Sequence, residues 1–72
     1  MPTAEDVKNR IEAAIPESTA EVESPDNVHF NARVVSKAFD GVSRIEQHRM
    51  VYAAVGDVGG EIHALQLKTE TP

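Results

Sequence analysis

The sequence predicts a small α+β domain in which helices cover one face of a three-stranded mixed sheet. Three observations predict it. Apolar residues recur at helical spacing near the N-terminus and again after residue 43, each time behind capping residues. Three other stretches, near 20–24, 29–36 and 62–69, alternate at the two-residue period of a strand. Size completes the case: the 72 residues suit one domain, 1–72, and a chain this short buries only about 60% of the surface it exposes unfolded, so its core is lean.

The first helix is expected over 3–15. Thr3 with Asp6 three positions later resembles a capping box, and Glu5 and Asp6 suit the positive end of the helix dipole. Ala4, Val7, Ile11 and Ala14 or Ile15 form one apolar stripe, and Pro16 ends it by pushing the preceding residue out of the helical region. Ala20 to Ser24 reads as a short strand with Val22 inward and Glu21 and Glu23 outward, and Ser24-Pro25-Asp26-Asn27 is a turn. His29 to Ser36 is the clearest strand, with Phe30, Ala32 and Val34 on one face and His29, Asn31 and Arg33 on the other. So short a connection predicts an antiparallel hairpin.

After an extra helical turn at Lys37 to Asp40 and a turn at Asp40-Gly41, Ser43-Arg44-Ile45-Glu46 matches the S-x-x-E capping box. It launches a helix to about Val55, with Ile45, His48, Tyr52 and Val55 expected within one apolar arc and Val51 at its edge. Gly56, Gly59 and Gly60 then stop the helix, and Ile62 to Thr69 forms a third strand with His63, Leu65 and Leu67 on one face. A strand, a helical crossover and another strand favour parallel pairing.

The composition excludes several classes. There is no cysteine, hence no disulfide, thiolate nucleophile or cysteine metal ligand. The longest apolar run, Met50 to Val55, has six residues, whereas a membrane span needs about twenty. With no basic-then-apolar leader at the N-terminus, a cytoplasmic protein without a membrane partner is expected. The net charge of −5 is uneven. Two basic residues face seven acidic ones up to Val28, while Arg33, Lys37, Arg44 and Arg49 outnumber Asp40 and Glu46 in the middle. That basic middle segment reads either as solvated side chains or as a surface for an anionic partner.

Site chemistry rests on three histidines. His29 opens the second strand, His48 lies within the second helix, and His63 precedes Ala64 beside the Gly59-Gly60 loop. None has the i, i+4 partner of a helical metal site. Spacing alone leaves His63 open between a histidine capping a strand and one facing a partner, and favours packing for His48. No G-x-S-x-G, G-x-x-x-x-G-K-[ST] or G-x-G-x-x-G motif occurs, so neither a serine hydrolase nor a nucleotide site is expected. Phe39 to Arg44 feeds a helix N-terminus near Lys37, Arg44 and Arg49, the arrangement of a weak phosphate-contacting element.

His29-Phe30, Val34-Val35-Ser36, Phe39, Gly41, His48-Arg49-Met50-Val51-Tyr52 and Ile62-His63-Ala64-Leu65 occur in an order and spacing that resembles the BolA-like proteins, from about Ile11 to Thr69. The resemblance implies an α-β-β-α-α-β fold similar to a type II KH domain, with the short second helix near Lys37 to Asp40. It implies a non-enzymatic partner of a monothiol glutaredoxin, able to share a [2Fe-2S] cluster in iron–sulfur trafficking or iron homeostasis. His63 corresponds to the family's cluster ligand. It also implies an alternative, a DNA-binding transcriptional regulator using the helix-turn-helix region Phe39 to Val55 and the cations Lys37, Arg44 and Arg49.

Two departures bear on these implications. Many members carry a further His or Cys in a longer loop between the first two strands; the compact Ser24-Pro25-Asp26-Asn27-Val28 has neither. Asp26 offers only hard oxygen, which suits iron–sulfur chemistry poorly, and His29 matches the family's strand histidine before Phe rather than its loop ligand, so it ranks below His63. A weaker cluster, one completed by the partner, and docking without a cluster all stay open. Gln47 replaces an arginine common before the His-Arg pair, which trims the DNA-binding case.

Overall fold

Thr3 starts the first helix by reciprocal capping: its hydroxyl accepts the Asp6 N–H at 3.2 Å and the Asp6 carboxylate accepts the Thr3 N–H at 3.0 Å. The structure, a computed structural model, describes residues 3–56 and 64–72. Its elements are α1 (Ala4–Ala14), β1 (Ser18–Glu23), β2 (His29–Ser36), a single 3-10 turn (Lys37–Phe39), α2 (Arg44–Val55) and β3 (Ala64–Glu70). The predicted order is present, and the extra turn after β2 is one turn of 3-10 helix capped by the Ser36 hydroxyl, which accepts the Ala38 N–H at 3.0 Å.

The strands lie in the order β1-β2-β3. β1 and β2 are antiparallel, pairing Ser18 with Ser36 and Glu23 with Asn31. β2 and β3 are parallel, pairing His29 with Ala64 and Val35 with Glu70. β1 begins two residues before the expected Ala20 because the hairpin register carries the ladder back to Ser18, opposite the last residue of β2.

Val7, Ile11 and Ile15 from the first helix and its cap meet Ala20, Phe30 and Val34 from the sheet, Phe39 from the 3-10 turn, and Val51 and Val55 from α2. Val22, Leu65 and Leu67 pack against this core from the same sheet face. Glu21, Glu23, Asn31 and Arg33 point to the other face and are exposed, so both helices cover one side of the sheet.

α2 departs from expectation in which side it buries. Ile45 and Tyr52 are 66% and 38% exposed, His48 is half-buried, and Val51 and Val55 fill the core with Met50 and Ala54 beside them. The Ser43 hydroxyl accepts the Glu46 N–H at 3.3 Å, but the Glu46 carboxylate pairs with Arg49 at 2.6 Å. The helix ends at Gly56, whose φ of +88° suits glycine. There the Arg10 guanidinium donates to the Val55 carbonyl at 2.9 Å, placing a cation from α1 on the negative end of α2.

Candidate functional site

The loop before β2 is built around one carboxylate. Asp26 Oδ1 accepts the backbone N–H groups of Val28 and His29 at 2.9 and 2.8 Å, and Asp26 Oδ2 lies 2.8 Å from His29 Nδ1. The Ser24 hydroxyl accepts the Asn27 N–H at 2.9 Å and donates to the His29 carbonyl at 2.7 Å. Asn27 takes a φ of +60°, a conformation that asparagine tolerates better than most residues. Five short bonds hold this turn, and three of them fasten His29 through its imidazole, its backbone N–H and its carbonyl.

The His29 side chain is 69% exposed. Its cross-strand neighbour is Ala64, the first residue of β3. His63 lies outside the described residues, and in sequence it immediately precedes Ala64. The parallel register thus brings the turn-bound histidine beside the residue that follows the strongest sequence-based candidate. Among the described residues, no group of three or more His, Cys, Asp or Glu side chains could hold a metal ion. Among the described residues, the donors at this sheet end are the His29 imidazole and the Asp26 carboxylate, and the chain has no thiolate. With no thiolate of its own, the chain could take part in holding an iron–sulfur cluster only if another chain supplied thiolate ligands.

The His29 backbone N–H, which contributes most, the His29 imidazole and the Val28 backbone N–H together hold the Asp26 carboxyl well below the usual carboxylate range. Glu12 is lowered chiefly by the Ala20 N–H, which its carboxylate accepts at 3.0 Å, and then by Lys8. Glu70 is lowered by Arg33 and Lys68, and Asp6 by Thr3. Each of these groups binds its proton less readily folded than unfolded, so each adds stability above its unfolded pKa that is lost as pH falls through the folded one. The melting temperature is expected to hold between pH 7 and pH 5 and to fall steadily below about pH 4. Thermal melts followed by far-ultraviolet circular dichroism check this; a melting temperature unchanged at pH 2.5 would contradict it.

The three cations of the alternative reading do not converge. Lys37 lines a hollow with Asp40, Thr71 and Pro72. Arg44 lines a separate groove of about 300 Å³ with His48, Leu67, Lys68, Thr69 and Glu70. Arg49 is held by Glu46 and lies about 140° around α2 from Arg44 at 100° per residue. His48 is therefore a groove-lining residue between α2 and β3.

Gln47 has a structural role that the sequence reading missed. Its amide donates to the Val42 and Phe39 carbonyls at 2.7 and 3.3 Å, and its oxygen accepts the Thr69 hydroxyl at 2.6 Å. It joins the loop before α2 to β3 where an arginine, lacking an acceptor, could not receive the threonine proton. Only the half-buried position of Gln47 on the correct face of α2 signals this, and that face was misassigned.

The model of the BolA-like protein family matches residues 6–72. Human BolA-like protein 1 is 44% identical over 45 residues, which are 61% of this chain and 33% of that protein, so the chain spans about a third of that relative's length. The structure of a bolA homologue from Coxiella burnetii is 42% identical, with a TM-score of 0.84 over 100% of this chain and 94% of that one. The BolA domain of SufE1 from Arabidopsis thaliana is 29% identical, with a TM-score of 0.83 over 96% of this chain and 91% of that one. A match across nearly every residue, in the strand order and helix placement described above, means that the chain belongs to the BolA-like family.

Proposed function

We propose that the chain is a non-enzymatic adaptor that binds a monothiol glutaredoxin and supplies His63 to a [2Fe-2S] cluster shared between the two proteins, in iron–sulfur trafficking or iron homeostasis. The observation that carries this reading is a histidine leading directly into β3, in Ile62-His63-Ala64-Leu65, within a family member that has no cysteine. Iron–sulfur clusters are held chiefly by thiolates, with histidine replacing cysteine on one iron in some centres. A chain offering imidazole alone must therefore take its thiolates from a partner. The lean core also leaves little room for a water-excluding catalytic pocket.

The test is anaerobic reconstitution with a monothiol glutaredoxin, iron and sulfide, followed by visible absorption and circular dichroism. Wild type is expected to give bands that differ from those of the glutaredoxin alone, and His63→Ala to lose most of that difference. Identical spectra for glutaredoxin alone, wild type and His63→Ala would reject the cluster role.

A further inference from the structure

The groove between α2 and β3 is lined by four consecutive strand residues, Leu67 to Glu70, together with Arg44 and His48. Successive side chains of a strand point to opposite faces of its sheet, so no single face presents four in a row. A groove that touches all four runs along the edge of the strand. Among the described residues, β3 is the last strand of the sheet and is hydrogen-bonded to β2 alone. Its other side presents main-chain N–H and C=O groups from alternate residues, which is the template for an added strand.

The side chains around this edge define what would lie there. The bond from Thr69 to Gln47 fixes the first turns of α2 beside the end of β3, so the helix runs back along the strand toward Ala64. His48 is one turn on from Arg44 and Tyr52 one turn further, each step rising about 6 Å, close to the roughly 6.6 Å between strand residues that share a face. The large apolar side chains of Ile45 and Tyr52 are exposed, and Leu67 is half-buried. Among the described residues Arg44 pairs with no carboxylate, whereas Arg49 has Glu46, and Arg33 and Lys68 share Glu70. A single-stranded nucleic acid asks for a cation at each successive phosphate and for aromatic platforms under its bases. This groove instead ends at a carboxylate, and Tyr52 is the one aromatic that is not buried.

We propose that this edge binds an extended peptide segment of a partner protein, added as an antiparallel fourth strand beside β3. An acidic side chain of the segment meets Arg44 and His48, and apolar side chains two and four positions on lie over Leu67 and against Tyr52. Main-chain bonds to β3 supply affinity, and the alternate side chains supply selection. Antiparallel pairing is the more stable of the two arrangements per residue. At the other edge of the sheet, β1 exposes Glu21 and Glu23 and repels the same acidic segment. The site does not depend on a cluster: Thr69 is roughly 17 Å along the strand from Ala64, the residue opposite His29.

The test is an NMR titration of the full ¹⁵N-labelled chain with the synthetic peptide T-E-T-V-T-V-T. Amide shifts are expected from Leu67 to Glu70 and along α2 from Arg44 to Tyr52, and not in β1. Alternate amides between Leu67 and Glu70 should exchange more slowly with solvent when the peptide is bound, the sign of an added strand. Arg44→Ala should weaken binding about fivefold, the loss of one exposed ion pair, and the peptide T-K-T-V-T-V-T should bind wild type at least as poorly. Lys37→Ala, which lies on a different hollow, should leave binding unchanged. No shift at millimolar peptide, shifts centred on β1, or shifts without slowed exchange would overturn strand addition at this edge. Binding indifferent to both Arg44→Ala and the lysine peptide would overturn the acidic preference. Oligothymidylate that moves the same amides at lower concentration than the peptide, and does so less well in Arg44→Ala, would overturn the proposal in favour of nucleic acid.

Discussion

Phe30→Ala is expected to lower the unfolding free energy by about 3–5 kcal/mol, as truncating a buried aromatic typically does. Phe30 is 1% exposed and lies in the central strand, with α1 and α2 above it and β1 and β3 on either side. At about 0.05–0.15 kcal/mol per residue, a domain of this length holds roughly 4–11 kcal/mol in total. One truncation therefore removes a large share of the margin. Urea titration checks it: the midpoint should fall steeply with little change in slope, because the surface exposed on unfolding stays similar. Phe30→Leu keeps most of the volume and should lose under about 1.5 kcal/mol. Equal midpoints for wild type and Phe30→Ala would mean that the residue is not the core element described here.

Ser36→Ala should destabilise by about 2–6 kcal/mol, although it removes a single oxygen, because each of two stranded backbone groups costs about 1–3 kcal/mol. The residue is fully buried. Its hydroxyl donates to the Pro16 carbonyl at 2.6 Å and accepts the Ala38 N–H at 3.0 Å. It thereby joins the connection between α1 and β1 to the 3-10 turn after β2. Alanine fills nearly the same space but satisfies neither group. Chemical denaturation measures the loss, and hydrogen exchange should show earlier opening at Ala38. A change under about 0.5 kcal/mol, the usual range for a surface substitution, would refute this account.

The residues that start and stop elements were readable in the sequence because their chemistry is local. Thr3 and Asp6 cap α1, Pro16 follows its end, and alternating Phe30, Ala32 and Val34 mark β2. The buried side of α2 was not readable. Ile45, Met50, Val51, Tyr52, Ala53, Ala54 and Val55 surround the helix with apolar residues, so periodicity singles out no face. Tertiary packing makes the choice, selecting Val51 and Val55 against α1 and the sheet. At the candidate site, the resemblance pointed to His63 and ranked His29 lower. Asp26 was weighed as a poor direct ligand, whereas the structure gives it a different task, holding the ring of the histidine three positions on. That relation depends on the turn's backbone path, which residue types alone do not specify.

The parallel register described above also has a consequence for the order in which the chain folds. Glu23 and Asn31 pair across eight positions, but His29 and Ala64 pair across 35. Closing the longer span costs about 1.3 kcal/mol more in chain entropy, and that cost precedes any hydrogen bond gained. The hairpin is therefore expected to form first and the β2–β3 ladder to zip last, along a strand bonded on only one side. The sheet end that joins His29 to the strand after His63 is thus assembled at the close of folding. Anything that grips both strands there would act as a clasp on the final step.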